Sequence, residues 1–218
     1  MAELRSEEEQ VQAIKDWWKK NGSSLLIGIG AALAIVFGWK AWQNHQAQVR
    51  SEAAAEFNNL LSAFSDQTDD SRTETVSYLA GKLRDEYSDN AYALYGNLLL
   101  AKQQLDEQSD PAAAVETLSW VHGQVKDKPA LELVVRSRLA RAQFTNGDLD
   151  EALNTLRGAS NAGSFKALFA ELEGDILLAK GDNEAAGEAY LVAREASETG
   201  RNAVLELKLA DLGIGEES

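Results

Sequence analysis

Cysteine is absent from this 218-residue chain, and proline, methionine and histidine are nearly so: two, one and two residues. Without thiols there is no disulfide staple, no thiolate nucleophile and no cysteine-based zinc site. The compartment stays open, because a fold with an adequate core can work in an oxidising space without disulfides. His45 and His122 lie far apart and form no recognised zinc pattern. Neither a nucleophile elbow nor a phosphate-cradling loop is present, since the GIGAALA stretch has no strand before it. The carboxylates scatter over turns and helix faces. No metal, cofactor or catalytic residue is therefore expected, and the chain reads as a non-enzyme.

Basic clusters are also missing. Residues 41–218 carry 30 acidic against 16 basic side chains, which accounts for the whole formal charge of -14. Such a surface repels phosphate backbones, so nucleic-acid binding is excluded as an expectation.

Charge of either sign is absent from Asn21 to Trp39, NGSSLLIGIGAALAIVFGW, which lies between Lys20 and Lys40. Nineteen residues at about 1.5 Å each give roughly 28 Å, the thickness of a bilayer's hydrocarbon core. Trp17 and Trp18 precede the run and Trp39 and Trp42 end it, so four of the five tryptophans bracket one segment. Interfacial aromatics are distributed in this way around a membrane span, and Lys19, Lys20 and Lys40 can reach the headgroups. A buried core helix and a cleaved signal peptide are the alternatives. The second fits poorly, because the preceding stretch is Glu-rich and no small-x-small cleavage pattern follows the run. A permanent anchor at 21–42 is the preferred reading.

Lys15, Lys19 and Lys20 stand before the run, against Lys40 and the more distant Arg50 after it. This bias predicts a cytoplasmic N-terminus. Within the anchor, Gly30, Ala34 and Gly38 share one helix face, where small residues allow close approach of a second helix. Glycines are also simply common in membrane helices. Before the anchor, Val11, Ile14 and Trp17 or Trp18 form a stripe suited to the inner headgroup region, with a partner-binding face as the alternative, and 1–20 is read as a cytoplasmic amphipathic segment.

From Gln43 on, helical periodicity is interrupted by turn signals and by no alternating strand pattern. Helices are predicted at 43–65, 73–87, 91–105, 111–122, 129–146, 149–158, 165–180, 183–198 and 202–212. LARAQFTNGDLDEALNTL from Leu139 aligns with EGDILLAKGDNEAAGEAY from Glu173 at a shift of 34, the tetratricopeptide period. Ala140 falls on Gly174, Gly147 on Gly181, Ala152 on Ala186 and Leu156 on Tyr190. The small pairs let paired helices approach. The Gly-Asp turns supply left-handed backbone and an N-cap. Leu156 and Tyr190 are expected to fill space against the neighbouring repeat. A looser copy places Gly96 and Leu100 in a first helix and Ala114 in a second, with six extra residues around Asp106–Pro111. The earlier pair, 43–65 with 73–87, reads as a degenerate cap, and VLELKLADL as a closing helix. The fold class is all-α: one N-terminal transmembrane helix, then a short tetratricopeptide-like α-solenoid at 43–213, with an acidic tail at 214–218.

The first helices of such repeats line a groove. Here they carry Tyr92, Tyr95, Asn97, Leu131, Val135, Arg138, Phe165, Phe169 and Glu173, a mixed aromatic and polar set suited to extended segments or one partner domain. Core packing is the competing role for each aromatic.

With these parts in place, the chain resembles the YfgM-like ancillary subunits of the bacterial SecYEG translocon. The likeness is densest in EEEQVQAIKDWWKKNGSSLLIGIGAALAIVFGWKAWQ and runs to about Leu212. It implies an inner-membrane protein with a periplasmic repeat domain that assists newly exported proteins. The implied partners are the SecYEG translocon, a PpiD-like periplasmic chaperone, exported polypeptides and the lipid bilayer. No catalytic or metal-binding residues come with it. The EQSDPA stretch and the GEES tail depart from the family pattern. A tether that binds one envelope partner and never touches clients is the alternative function.

Overall fold

A computed structural model describes residues 7–197 and 202–214. The tail residues Gly215–Ser218, the first six residues and the ETG turn signal lie outside the described residues. Nine α-helices and one 3₁₀ turn, Gly163–Phe165, occupy the described chain, with no strand among them. They are α1 (Glu7–Ser65), α2 (Arg72–Glu86), α3 (Ala91–Asp106), α4 (Pro111–Gln124), α5 (Pro129–Asn146), α6 (Leu149–Arg157), α7 (Lys166–Ala179), α8 (Asn183–Ala196) and α9 (Ala203–Asp211). The all-α expectation holds, and the helix ends fall within a few residues of those predicted. One difference stands out. The N-terminal stripe, the apolar run and 43–65 are one unbroken helix, because Asn21 and Gly22 sit inside it without a break. Asn21 Nδ2 donates back to the Trp17 carbonyl at 3.1 Å, and the Trp18 indole covers Gly22.

The chain divides into two compact units, Met1–Glu52 and Ala53–Ser218. In the first, the apolar side chains of the run are turned outward: Leu25, Leu26, Ile27, Ile29, Leu33, Ile35, Val36 and Phe37 are all exposed. A core helix would bury them. This one is long and apolar enough to cross a membrane, and hydrocarbon is the solvent that suits such a surface.

In the second unit the apolar residues form a chain of three clusters. The first joins Ala53 and Leu60 of α1 to Val76, Leu79, Ala80 and Leu83 of α2 and to Ala93 and Leu100 of α3. The second joins Leu94, Leu98 and Ala101 of α3 to Ala114, Leu118 and Val121 of α4 and to Val135, Leu139 and Ala142 of α5. The third joins Ala140 of α5 to α6, α7, α8 and Leu205 and Leu209 of α9. Neighbour-to-neighbour burial of this kind is the organisation of a helical solenoid. The end of α1 with α2 caps one side and α9 the other.

The 34-residue register is visible in the backbone. Gly147 and Gly181 close α5 and α7 with φ of 88° and 84°. In each turn the next amide reaches back five residues, Asp148 N to Gln143 O at 2.9 Å and Asp182 N to Leu177 O at 3.0 Å. Left-handed backbone with this bond is a helix C-cap that satisfies otherwise orphaned carbonyls. Asp182 caps α8 by accepting from Ala185 N at 3.1 Å. Asp148, expected to do the same for α6, makes no such bond; its carboxylate accepts from the Asn146 amide at 2.7 Å.

The looser repeat needs correcting. Its turn holds Glu107–Asp110, four residues against two in the α5–α6 turn, so only two are extra. The remaining discrepancy comes from pairing Gly96 with Ala114. A Cβ on Gly96 would lie 2.8 Å from Leu83 Cδ1 and 3.2 Å from Leu60 Cδ1, so this glycine faces the preceding hairpin. Ala101 is the small α3 residue that shares a cluster with Ala114. Tyr190 is also placed differently from expectation. Its ring lies on Gly174 within its own hairpin, where a Cβ would overlap it.

These contacts set opposite signs for two glycine substitutions. Gly81 is mid-helix with open space where a Cβ would stand. Gly81→Ala should therefore stabilise the protein by about 0.5–1 kcal/mol. Gly174→Ala should instead destabilise it by about 1–2 kcal/mol through overpacking against the Tyr190 ring. Thermal unfolding of the full-length protein in detergent, followed by circular dichroism, checks both. A common sign for the two would overturn the packing assignment.

Candidate functional site

Two surfaces gather the candidate residues. On α1, Gly30, Ala34 and Gly38 fall on one exposed face, with nothing within 4 Å of a Cβ on either glycine. Trp39 and Trp42 pack together at a centroid distance of 5.0 Å, while Trp17, Trp18, Val11 and Ile14 stand exposed before the run. Tryptophans thus flank the apolar run at both ends, and one side of it carries only small residues.

The second surface belongs to the first helices α3, α5 and α7, and here the side chains separate. Val135 and Phe169 are buried, at 0% and 6% exposure, so they are packing residues and leave the candidate groove. Asn97 is buried as well. Its amide donates to Ala80 O at 3.1 Å and Ala93 O at 2.9 Å, tying α3 to α2. Tyr92 packs on Phe57 at 5.3 Å, Phe165 sits edge-on to Phe169 at 6.0 Å, and Leu131 is half-buried against the second cluster. Glu173 is engaged by Arg157 at 2.8 Å. Tyr95, at 47% exposure, and Arg138 face solvent.

Arg138 lines a cleft of about 210 Å³ with Arg141 of α5, Leu118 of α4 and Leu98, Ala101, Lys102, Leu105 and Asp106 of α3. Most of these residues escape selection by type. Arg141 could have been found three residues beyond Arg138 on the same helix face. The α3 contribution needs the packing to be known.

Elsewhere the polar groups serve the fold. His122 Nε2 stands 3.2 Å from Glu132 Oε1 across the α4–α5 joint, and Arg136 Nε donates to the same oxygen at 2.6 Å. Burial pushes the Glu132 carboxyl upward, but Arg136 and His122 outweigh it and hold it below the usual glutamate range. Lys208 of α9 reaches Glu171 at 2.8 Å and Asp175 at 2.7 Å on α7. Burial pulls its ammonium down, yet the two carboxylates prevail and raise it above the ordinary lysine value. The Tyr190 hydroxyl donates to Asp175 at 2.8 Å, and burial reinforced by that carboxylate drives the phenol well upward. His45 lies just beyond Trp42 on α1. Among the described residues no three metal-ligating side chains converge.

A membrane-length helix that continues into hairpins of 34-residue register defines a membrane-anchored helical-repeat protein. The chain matches the tetratricopeptide repeat-like domain family over residues 15–214, a range that includes the apolar span. It is 32% identical to an ancillary SecYEG translocon subunit of Haemophilus influenzae, over 97% of this chain and all of that one. Its identity to the protein of the same description is 31% in Aggregatibacter actinomycetemcomitans, with the same coverage. In Escherichia coli it is 28%, over 96% of this chain and 98% of the relative. The chain belongs to the family of ancillary SecYEG translocon subunits.

The Lys208 network generates a pH dependence. Because folding raises this lysine's pKa, its stabilisation is complete below the ordinary value of 10.5 and fades as the pH climbs through and beyond it. Lys208→Met should lower stability by about 2 kcal/mol at neutral pH, from lost charge-assisted hydrogen bonds. The gap from the unmodified protein should narrow above pH 10.5. Melting curves of both proteins from neutral to alkaline pH test this, and a gap independent of pH would refute the assignment.

Proposed function

We propose that this protein is a non-enzymatic, single-pass adaptor of the bacterial inner membrane that attaches to the Sec translocon and presents its repeat domain to newly exported chains. The observation that carries this reading is the near-full-length match to ancillary SecYEG translocon subunits, which spans anchor and repeats together. The N-terminus is assigned to the cytoplasm from the excess of Lys15, Lys19 and Lys20 over Lys40, which puts 43–213 in the periplasm. Residues 21–42 act as the anchor, and 7–20 continue the same helix on its cytoplasmic side. The face made by Gly30, Ala34 and Gly38 packs against a translocon helix. The repeat domain recruits a PpiD-like chaperone or holds exported polypeptides through the surface that includes Tyr95 and Arg138.

Affinity purification of the full-length protein from native membranes in mild detergent, with quantitative mass spectrometry, tests this. Translocon subunits and a periplasmic chaperone should be recovered. Translocon recovery should fall when Gly30, Ala34 and Gly38 are changed to Leu, and vanish when 1–40 is replaced by an unrelated anchor. Absence of both partners from the unmodified sample would overturn the reading.

Orientation has its own test, made clean by the absence of native cysteine. Ser109→Cys should react with a membrane-impermeant maleimide on intact spheroplasts, and Ser6→Cys only after lysis. The reverse pattern would place the repeat domain in the cytoplasm.

A further inference from the structure

Among the described residues of 53–214, arginines 72, 84, 136, 157 and 194 each have a carboxylate partner. Arg138 and Arg141 have none, although the chain carries 35 acidic side chains against 21 basic ones. Both are exposed, both lie on one face of α5, and both border the small cleft floored by Leu98, Leu105 and Leu118. The cleft's one carboxylate, Asp106, is already neutralised by Lys102. What remains is an apolar slot with two uncommitted positive charges on its rim.

From this geometry we infer that the cleft binds a short extended segment of an unfolded polypeptide in which a large aliphatic side chain stands beside carboxylates. This deepens the proposed capture of exported chains and rests on that reading. The aliphatic group enters the slot and the carboxylates meet Arg138 and Arg141, whose planar guanidinium groups suit them. Size selects the class of ligand. At about 210 Å³ the cleft is smaller than a typical small-molecule site. One side chain with its flanking charges fits. A phosphate would satisfy the arginines but leave the leucine floor unused.

The test uses full-length protein in detergent and a short tetramethylrhodamine-labelled peptide holding one leucine beside two aspartates, read by fluorescence anisotropy. Arg138→Gln combined with Arg141→Gln should weaken binding by about tenfold, the effect of two exposed ion pairs. Replacing both aspartates by asparagines should weaken binding to the unmodified protein equally and cost nothing further in the double variant, the signature of direct coupling. Replacing the leucine by glycine should also weaken binding. Arg157→Gln, which alters an arginine outside the cleft, should change nothing. No binding to the unmodified protein, equal binding to the double variant, or indifference to the aspartates would each overturn the inference. Translocon recovery in the purification above depends on the anchor, so it should be normal for the double variant, and the two readings can fail separately.

Discussion

Everything in the repeat domain depends on two helices being apolar on two faces at once. α3 gives Leu94, Leu98 and Ala101 to one cluster and Ala93 and Leu100 to another, while α5 gives Val135, Leu139 and Ala142 to one and Ala140 to the next. No hairpin can bury its own surface alone, so each repeat is stable only against its neighbours. Two buried faces leave each helix a single free stripe. On α3 it carries Tyr95, Lys102 and Asp106, and on α5 it carries Arg138, Arg141 and Thr145. The same sharing that builds the core therefore leaves two narrow lines of exposed side chains, with a cleft where they run together.

How much of this was legible in the sequence follows from what each signal measures. Periodicity and turn residues report local backbone, and the helix boundaries they predict hold within a few residues except at 43, where α1 runs on without a break. Gly147 and Gly181 were readable because a left-handed C-cap demands glycine almost regardless of tertiary context. Gly96 was misread because smallness says that something comes close and not what comes close; its neighbours are Leu60 and Leu83 of the preceding hairpin. The groove suffered similarly. Val135 and Phe169 lie on first helices as expected, but Val135 is turned into the second cluster and Phe169 into the third. The informative groups were the charged ones, which cannot be buried without partners.

α1 shows the opposite case, in which sequence alone decides the environment. An uncharged run with apolar residues on every side has no polar face to turn to water. Exposed as it is along Leu25–Phe37, its surface is covered by none of the described residues and is the kind a bilayer accommodates. The tryptophans that flank the run, with Lys19, Lys20 and Lys40 set among them, are legible from the sequence without tertiary information as well. The membrane thus takes the place that neighbouring helices hold in the repeats.

The strong negative charge bears on which segments the cleft can select. An acidic segment approaching this domain meets a repulsive field at distance, yet that field is screened beyond roughly 8 Å at physiological ionic strength. Contact, and not long-range steering, must supply the discrimination. In the proposed binding mode Arg138 and Arg141 act at contact distance, and the leucine floor contributes through burial, which salt does not weaken. Neither component suffices alone: exposed ion pairs are weak, and one buried aliphatic side chain contributes about 1.5–3 kcal/mol at most. Only a segment offering both gains enough to outlast the cost of being held.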